Sequence, residues 1–255
     1  MCLILFGWQA RADFPLVVAA NRDEFHDRPA AAAHWWADRP GLLAGRDLEA
    51  GGTWMGVSRR GRFAALTNYR DPARRRPGAP SRGMLVRDAL ESDRPALDVL
   101  HEIGARSADY VPFNLLVGDG DTLGILESTT GVVQELPPGI YGLSNHLLDS
   151  DWPKVKRARA AFGAALATLP DEGAFLALLR DTTVADDADL PATGVGLEWE
   201  RWLSPAFVQA PGYGTRCSTL LTVDGSGEHC LTEWSWNAAG ESSASVTHRF
   251  RPSVC

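Results

Sequence analysis

The chain has 255 residues, enough for one large domain or two small ones with a sizeable core. Hydrophobic residues make up 45% and charged residues 22%, a balance that excludes a chain dominated by disorder. The formal net charge of -7 argues against a general nucleic-acid binder, which would carry a basic face.

The first residues, Met1-Cys2-Leu3-Ile4-Leu5-Phe6, are apolar at once and lack a basic leader, and Arg11 and Asp13 soon interrupt them. They do not read as a signal peptide, and no apolar stretch is long enough to span a bilayer. The expected location is therefore the cytoplasm. Residues 2–7 and 16–20 read as short strands. The second, Leu16-Val17-Val18-Ala19-Ala20, runs into Asn21-Arg22-Asp23-Glu24, which places four polar residues at the end of a core strand.

Residues 29–52, rich in Pro, Ala and Gly, read mostly as loop. Gly51-Gly52-Thr53-Trp54 opens a strand pair over 53–58 and 62–68 with a turn near Arg60-Gly61. A Pro- and Arg-rich loop covers 70–82, with Ser81 as the expected cap of a helix over 82–91 and a second helix near 95–104. Strands follow at 113–117, 122–127 and 132–135, and another leads to Ser144-Asn145. Val155, Ala158, Phe162, Ala165, Leu166 and Leu169 recur at helical spacing over 153–169. Lys154, Lys156, Arg157 and Arg159 are assigned to the solvated face. A helix over 171–180, an acidic loop over 181–194 and strands at 216–223, 228–236 and 244–250 complete the chain. Strand runs alternate with helix pairs, without the βαβ rhythm of a parallel sheet, so antiparallel sheets covered by helices are expected. No linker divides residues 1–255, which are read as a single domain.

The cysteines are Cys2, Cys217, Cys230 and Cys255, none at metal-pair spacing, and reduced thiols are the plain expectation. Cys2 stands apart. Removal of Met1 would put a thiol and a free α-amine on one residue. Such an amine, with a pKa of about 7.7–8.0, can serve as base to the thiol. The plain alternative is a buried cysteine in the first strand. Asp23 is placed to hold the amine or orient the thiol. Asn68 and Asn145 carry amide donors suited to an oxyanion, and Arg216 precedes a closing strand. Singly, each also reads as a turn or cap residue.

Arg70, Arg74, Arg75, Arg76 and Arg82 follow Asn68 and suit either solvent or a substrate phosphate or carboxylate. Trp35, Trp36 and Trp54 suit either the core or an apolar ligand pocket. The histidines lack ligand spacing, so no metal site is expected, and His146 is singled out only because it adjoins Asn145.

Asn21-Arg22-Asp23-Glu24 resembles the namesake motif of the NRDE family, the transport and Golgi organisation family. Gly51-Gly52-Thr53-Trp54, Leu66-Thr67-Asn68-Tyr69, Tyr141-Gly142-Leu143-Ser144-Asn145 and Pro211-Gly212-Tyr213-Gly214-Thr215-Arg216 look like its further signatures, in the same order. The family in turn resembles N-terminal nucleophile hydrolases, above all the choloylglycine hydrolase and penicillin acylase branch. That resemblance implies an α+β fold, an αββα sandwich of two mainly antiparallel sheets flanked by helices. It also implies an N-terminal cysteine that attacks an amide or thioester carbonyl.

By local motif, Cys2, Asp23, Asn68, Asn145 and Arg216 match that branch's catalytic positions, with Arg22, Trp54, Tyr69 and His146 as substrate contacts. Asp151-Trp152 resembles a pair that follows the matching Asn in the branch. Where the branch carries an Arg three residues before its Asp, this chain has Ala20, and Arg22 adjoins instead. The expected partner is a small molecule: an acyl amide, or, through the family's association with haem trafficking and lipid handling, an acyl-CoA or haem. No cofactor is required for the cysteine chemistry.

Overall fold

A computed structural model describes residues 2–74 and 76–253; Met1, Arg75 and Cys255, named above, lie outside them. The chain opens with a long hairpin, β1 (Cys2–Arg11) and β2 (Phe14–Phe25). β3 (Ala30–Trp36), β4 (Arg39–Asp47), β5 (Met55–Ser58) and β6 (Phe63–Asn68) follow as a meander. Then come α1 (Gly83–Glu91), α2 (Ala96–Ala105), β7 (Phe113–Gly118), β8 (Leu123–Glu127), β9 (Val132–Glu135) and β10 (Gly139–Leu143). The remainder holds α3 (Pro153–Ala165), α4 (Gly173–Leu179), α5 (Leu197–Trp202), β11 (Gln209–Ala210), β12 (Tyr213–Val223), β13 (His229–Trp236) and β14 (Ser242–Phe250).

Two antiparallel sheets result. One has the order β10-β1-β2-β12-β13-β14, with β11 on β12; the other runs β3-β4-β5-β6-β7-β8-β9. Side-chain alternation makes the layers. Ile4, Phe6, Val18 and Ala20 of the first sheet meet Leu43, Val57, Phe63 and Leu116 of the second. Leu3, Leu5, Val17 and Ala19, on the opposite face, meet Val155, Phe162, Phe175 and Leu179 of α3 and α4. Ala64, Leu66, Leu115 and Val117 meet Leu85, Val86 and Leu100 of α1 and α2. Both faces of each central strand are covered, which is why β1 reads as an unbroken apolar run. The architecture is the αββα sandwich.

Three local expectations change. Residues 29–52 hold β3 and β4, because pairing of β3 with β4 and of β4 with β5 outweighs the weak strand propensity of their alanines, prolines and glycines. Asn21-Arg22-Asp23-Glu24 lies inside β2 rather than beyond it, because β1 and β12 pair with that strand through these residues. The α1 cap is Arg82, already helical, with no side-chain cap bond, and the Ser81 carbonyl accepts from the Met84 N–H at 3.3 Å.

Gly52 and Gly83 touch backbone to backbone. A Cβ on Gly52 would lie 2.5 Å from the Gly83 carbonyl carbon, and Thr53 N–H donates to the Gly83 oxygen at 3.2 Å. This contact seats the start of α1 against the turn before β5. Gly52→Ala should therefore cost about 1–3 kcal/mol in denaturant unfolding, the range for overpacking. Gly41→Ala, where a Cβ meets nothing within 4 Å, is the control and should cost less.

Candidate functional site

Four positions of one motif divide four tasks, because successive side chains of a strand face opposite ways. Arg22 pairs in register with Cys2 on β1 and with Cys217 on β12, so the three form a row on the face toward the second sheet. Asn21 faces the helices. Its Nδ2 donates to the Leu179 and Ala206 carbonyls, each at 2.8 Å, and its Oδ1 accepts from Ser218 Oγ at 2.6 Å. Asp23 is on that same side and 1% exposed; its Oδ1 accepts from Thr215 Oγ1 at 2.8 Å and its carbonyl from Tyr213 Oη at 2.9 Å. Glu24 returns to the Arg22 side, 3.8 Å from its Nη2.

Cys2, Arg22, Asp23, Glu24, Asn68 and Arg216 all line one cavity of about 580 Å³ between the sheet ends. Arg216 reaches it through a β-bulge. Thr215 opposes Asp23 and Cys217 opposes Arg22, so Arg216 is the extra residue, turned out of the ladder. Its Nη1 donates to the Phe25 and Arg28 carbonyls at 2.7 and 3.0 Å. Arg22 is 9% exposed; its Nη2 lies 3.5 Å from Asp47, and its Nη1 is buried without a hydrogen-bond partner among the described residues.

Asn145 stands behind the cavity rather than on its lining. It is fully buried, its Nδ2 donates to the Asn68 carbonyl at 2.8 Å, and its own carbonyl accepts from Arg70 N–H at 2.7 Å. Ser144 Oγ donates to the Cys2 carbonyl at 3.1 Å. Tyr69 and His146 also lie off the lining; their rings adjoin at 5.2 Å, and His146 adjoins Trp152 at 5.7 Å.

Burial pushes the Cys2 thiol above its ordinary pKa; the Asp23 charge adds to that and the Arg22 guanidinium opposes it. The resting group is thus a thiol, and nucleophilic use of it requires a base. Cys217 is pushed up further, by burial and then by the Glu233 carboxylate.

The family model described as Transport and Golgi organisation 2 matches residues 1–238. The chain belongs to that family. It is 37% identical to the Transport and Golgi organization protein 2 homolog of Bos taurus, over 98% of this chain and 99% of that one. It is 35% identical to the Homo sapiens homolog, over 91% and 92%. Among solved structures it is similar to a Caenorhabditis elegans N-acylethanolamine-hydrolyzing acid amidase ortholog. That likeness has a TM-score of 0.46 and 13% identity, over 86% of this chain and 92% of that one.

The surroundings of the motif depart from expectation in three ways. The arginine loop divides. Arg70 is buried, with Nη1 2.5 Å from Glu200 and its guanidinium 4.5 Å from the Trp152 ring. Arg74 pairs outward with Asp71 at 3.1 Å, while Arg76 and Arg82 line the cavity. The tryptophans also divide. Trp54 lines the cavity, but Trp36 is sealed between the second sheet and its helices, and Trp35 packs edge-on against Phe250; Trp236 joins the lining instead.

Lys154 is buried, not solvated: it is 3% exposed, and its Nζ donates to the Leu203 carbonyl at 3.0 Å. It precedes Ala158 and Phe162 by one and two helical turns, so it falls on the buried stripe of α3. That i, i+4, i+8 spacing was the available signal. Lys156, in contrast, is exposed and pairs with Asp151 at 3.0 Å.

Glu200→Ala should cost about 3–5 kcal/mol, because it leaves the Arg70 charge buried with its carboxylate removed. Asp151→Ala, at a surface pair, should leave the unfolding midpoint unchanged. Iodoacetamide should modify Cys2 before Cys217, since the thiolate reacts and Cys217 is the more strongly suppressed. Peptide mass mapping over time reads the order, and equal rates would contradict the electrostatic difference.

Proposed function

We propose that this chain is an N-terminal-cysteine hydrolase or acyl-transfer protein that acts on an amide- or thioester-linked acyl ligand. The observation that carries the reading is the juxtaposition of Cys2 and Arg22 in one cavity wall, with Arg22 Nη1 buried and without a hydrogen-bond partner among the described residues and Asn68 on the same lining. Once Met1 is removed, the Cys2 α-amine takes the thiol proton as Sγ attacks the carbonyl carbon. The oxyanion is held by donors from Asn68 and Arg22. Collapse breaks the carbon–nitrogen or carbon–sulfur bond, and the α-ammonium returns its proton to the leaving group. Water then attacks the Cys2 thioester, with the α-amine again as base, and releases the acid. Ala20 is fully buried in the inter-sheet core while Arg22 reaches the cavity, which supports Arg22 as the working cation. Asn145 positions Asn68 through its carbonyl.

A second reading has its own observation. Arg76, Arg82 and Arg216 line the cavity and donate to backbone carbonyls, with no carboxylate in ion-pair range among the described residues. Such groups suit a ligand's anionic end. This fits a non-catalytic carrier of acyl-CoA or haem, whose phosphates or propionates would meet these arginines, in a cavity that Cys2 and Cys217 also line.

Turnover and affinity separate the readings. With a panel of N-acyl amides and acyl thioesters, Cys2→Ala should abolish turnover. Asn68→Ala should slow it roughly a hundredfold to a thousandfold with little change in affinity. Arg82→Gln should act mainly on affinity. Intact mass should show loss of Met1 and, in slow substrates, an acyl adduct on Cys2. If no ligand is consumed and only the arginine changes weaken binding, the hydrolase reading fails and the carrier stands.

A further inference from the structure

In an antiparallel strand the N–H and C=O of one residue point to the same side, and successive residues alternate between the two neighbouring strands. The way Cys2 turns its backbone therefore follows from β10. The Gly142 N–H donates to Asp149 Oδ1 at 2.7 Å, and the Gly142 carbonyl accepts from the Asp149 N–H at 2.8 Å, so Gly142 faces away from β1. Its neighbour Leu143 then faces β1, opposite Ile4. Ile4 and Cys2 are two residues apart and share a side. Cys2 thus turns its nitrogen and its carbonyl toward β10. It stands against Arg22 as a pair without ladder bonds, the kind that brings side chains closest.

β10 stops short of Cys2. The ladder ends at Ile4 and Leu143; continued by two residues, it would set Asn145 opposite Cys2. Asn145 is engaged with the second sheet instead. Its Nδ2 donates to the Asn68 carbonyl at 2.8 Å, and its carbonyl accepts from Arg70 N–H at 2.7 Å. Ser144 fills the vacated place: fully buried, it donates from Oγ to the Cys2 carbonyl at 3.1 Å. A side-chain hydroxyl stands in for the main-chain donor that left with Asn145, which a buried carbonyl requires.

We infer that Ser144 is a positioning residue of the Cys2 site, whose hydroxyl fixes the Cys2 carbonyl and, through it, the directions of the Cys2 α-nitrogen and Sγ. The inference rests on the reading of Cys2 as nucleophile, in which thiol and amine must hold one geometry on one Cα.

The first residue of a chain frays unless it is tied down. With Met1 removed, Cys2 begins the chain, and its neighbours' ladder bonds start at Leu3 toward β2 and at Ile4 toward β10. The Ser144 bond is the tie on the carbonyl side of Cys2. Its loss has two effects of opposite sign. The arrangement in which Sγ and the amine meet a carbonyl carbon is populated less, so turnover falls. The thiol, whose pKa burial raises, spends more time in water, so its reaction with a small alkylating reagent rises. General loosening of the fold would expose Cys217, on the same sheet face, as well.

Both effects are measured on the full chain. Iodoacetamide alkylation of Cys2 and Cys217 is followed by peptide mass mapping, and kcat and KM are measured with the panel of N-acyl amides and acyl thioesters. Ser144→Ala should speed Cys2 alkylation and lower kcat, each roughly threefold to tenfold, the weight of one hydrogen bond. KM and the Cys217 rate should stay at their wild-type values. Ser144→Thr, which keeps the hydroxyl, should return both quantities toward wild type, and Ser144→Gly replaces the alanine variant if that one does not fold. An unchanged Cys2 rate in the folded alanine or glycine variant would overturn the inference, as would Cys2 and Cys217 rates that rise together. Absence of turnover in the wild type would sink the hydrolase reading, while the alkylation rates would still decide whether Ser144 holds Cys2.

Discussion

The site depends on a clamp between the ends of two sheets that share no ladder. The segment after β10 leaves the first sheet and is stitched to the second. Asn145 Nδ2 and its carbonyl bracket Asn68 and Arg70; the His146 carbonyl accepts from Asn114 Nδ2 at 2.7 Å; Leu148 N–H donates to Glu127 at 2.8 Å. Ser144 holds the other side of the joint, at the Cys2 carbonyl. Apolar packing between the sheets is strong but non-directional, and it would tolerate sliding. Hydrogen bonds with fixed partners set how Cys2 faces Asn68.

Within that frame β2 works on both faces. The Arg22 side meets the cavity, and the Asp23 side meets the helix layer. A single strand therefore carries the electrostatics of the thiol from both directions. Arg22 favours the thiolate, while Asp23 and burial oppose it. Lys154 and the Arg70–Glu200 pair lie on the Asp23 side, away from water, where charges are weakly screened. The cavity itself is lined by Arg22, Arg76, Arg82 and Arg216. The division separates a buried layer that sets charge from the residues that line the cavity.

The same division explains what failed to show in the linear chain. β3 and β4 are short on β-branched residues and read as loop, because their strand character comes from pairing with each other and, for β4, with β5. Trp36 and Trp54 look alike as candidates, yet one is in a core and the other on the cavity, a difference set by which face of which sheet each side chain meets. Lys154 reads as solvated when the stripe is drawn from Val155, although its spacing to Ala158 and Phe162 places it inside. A charge at a buried position becomes intelligible only when its surroundings, here the Leu203 carbonyl that accepts from its Nζ, are in view.

The sequence by itself determined the layers and, among the cavity's polar residues, Cys2, Arg22, Asp23, Asn68 and Arg216, while Arg28, Arg46, Asp47 and Glu233 came into view only with the fold. Continuous apolar runs demand strands covered on both faces, and the ordered motifs from Cys2 to Arg216 carry the family's pattern. Tertiary structure alone decided the work of each residue. It placed Asn145 behind Asn68, turned Arg216 inward through a bulge, and divided Asn21-Arg22-Asp23-Glu24 between cavity and helices. The physical reason is that apolar periodicity is a local property of the chain. The charge state and reach of a side chain depend instead on the dielectric and on partners that only folding brings near.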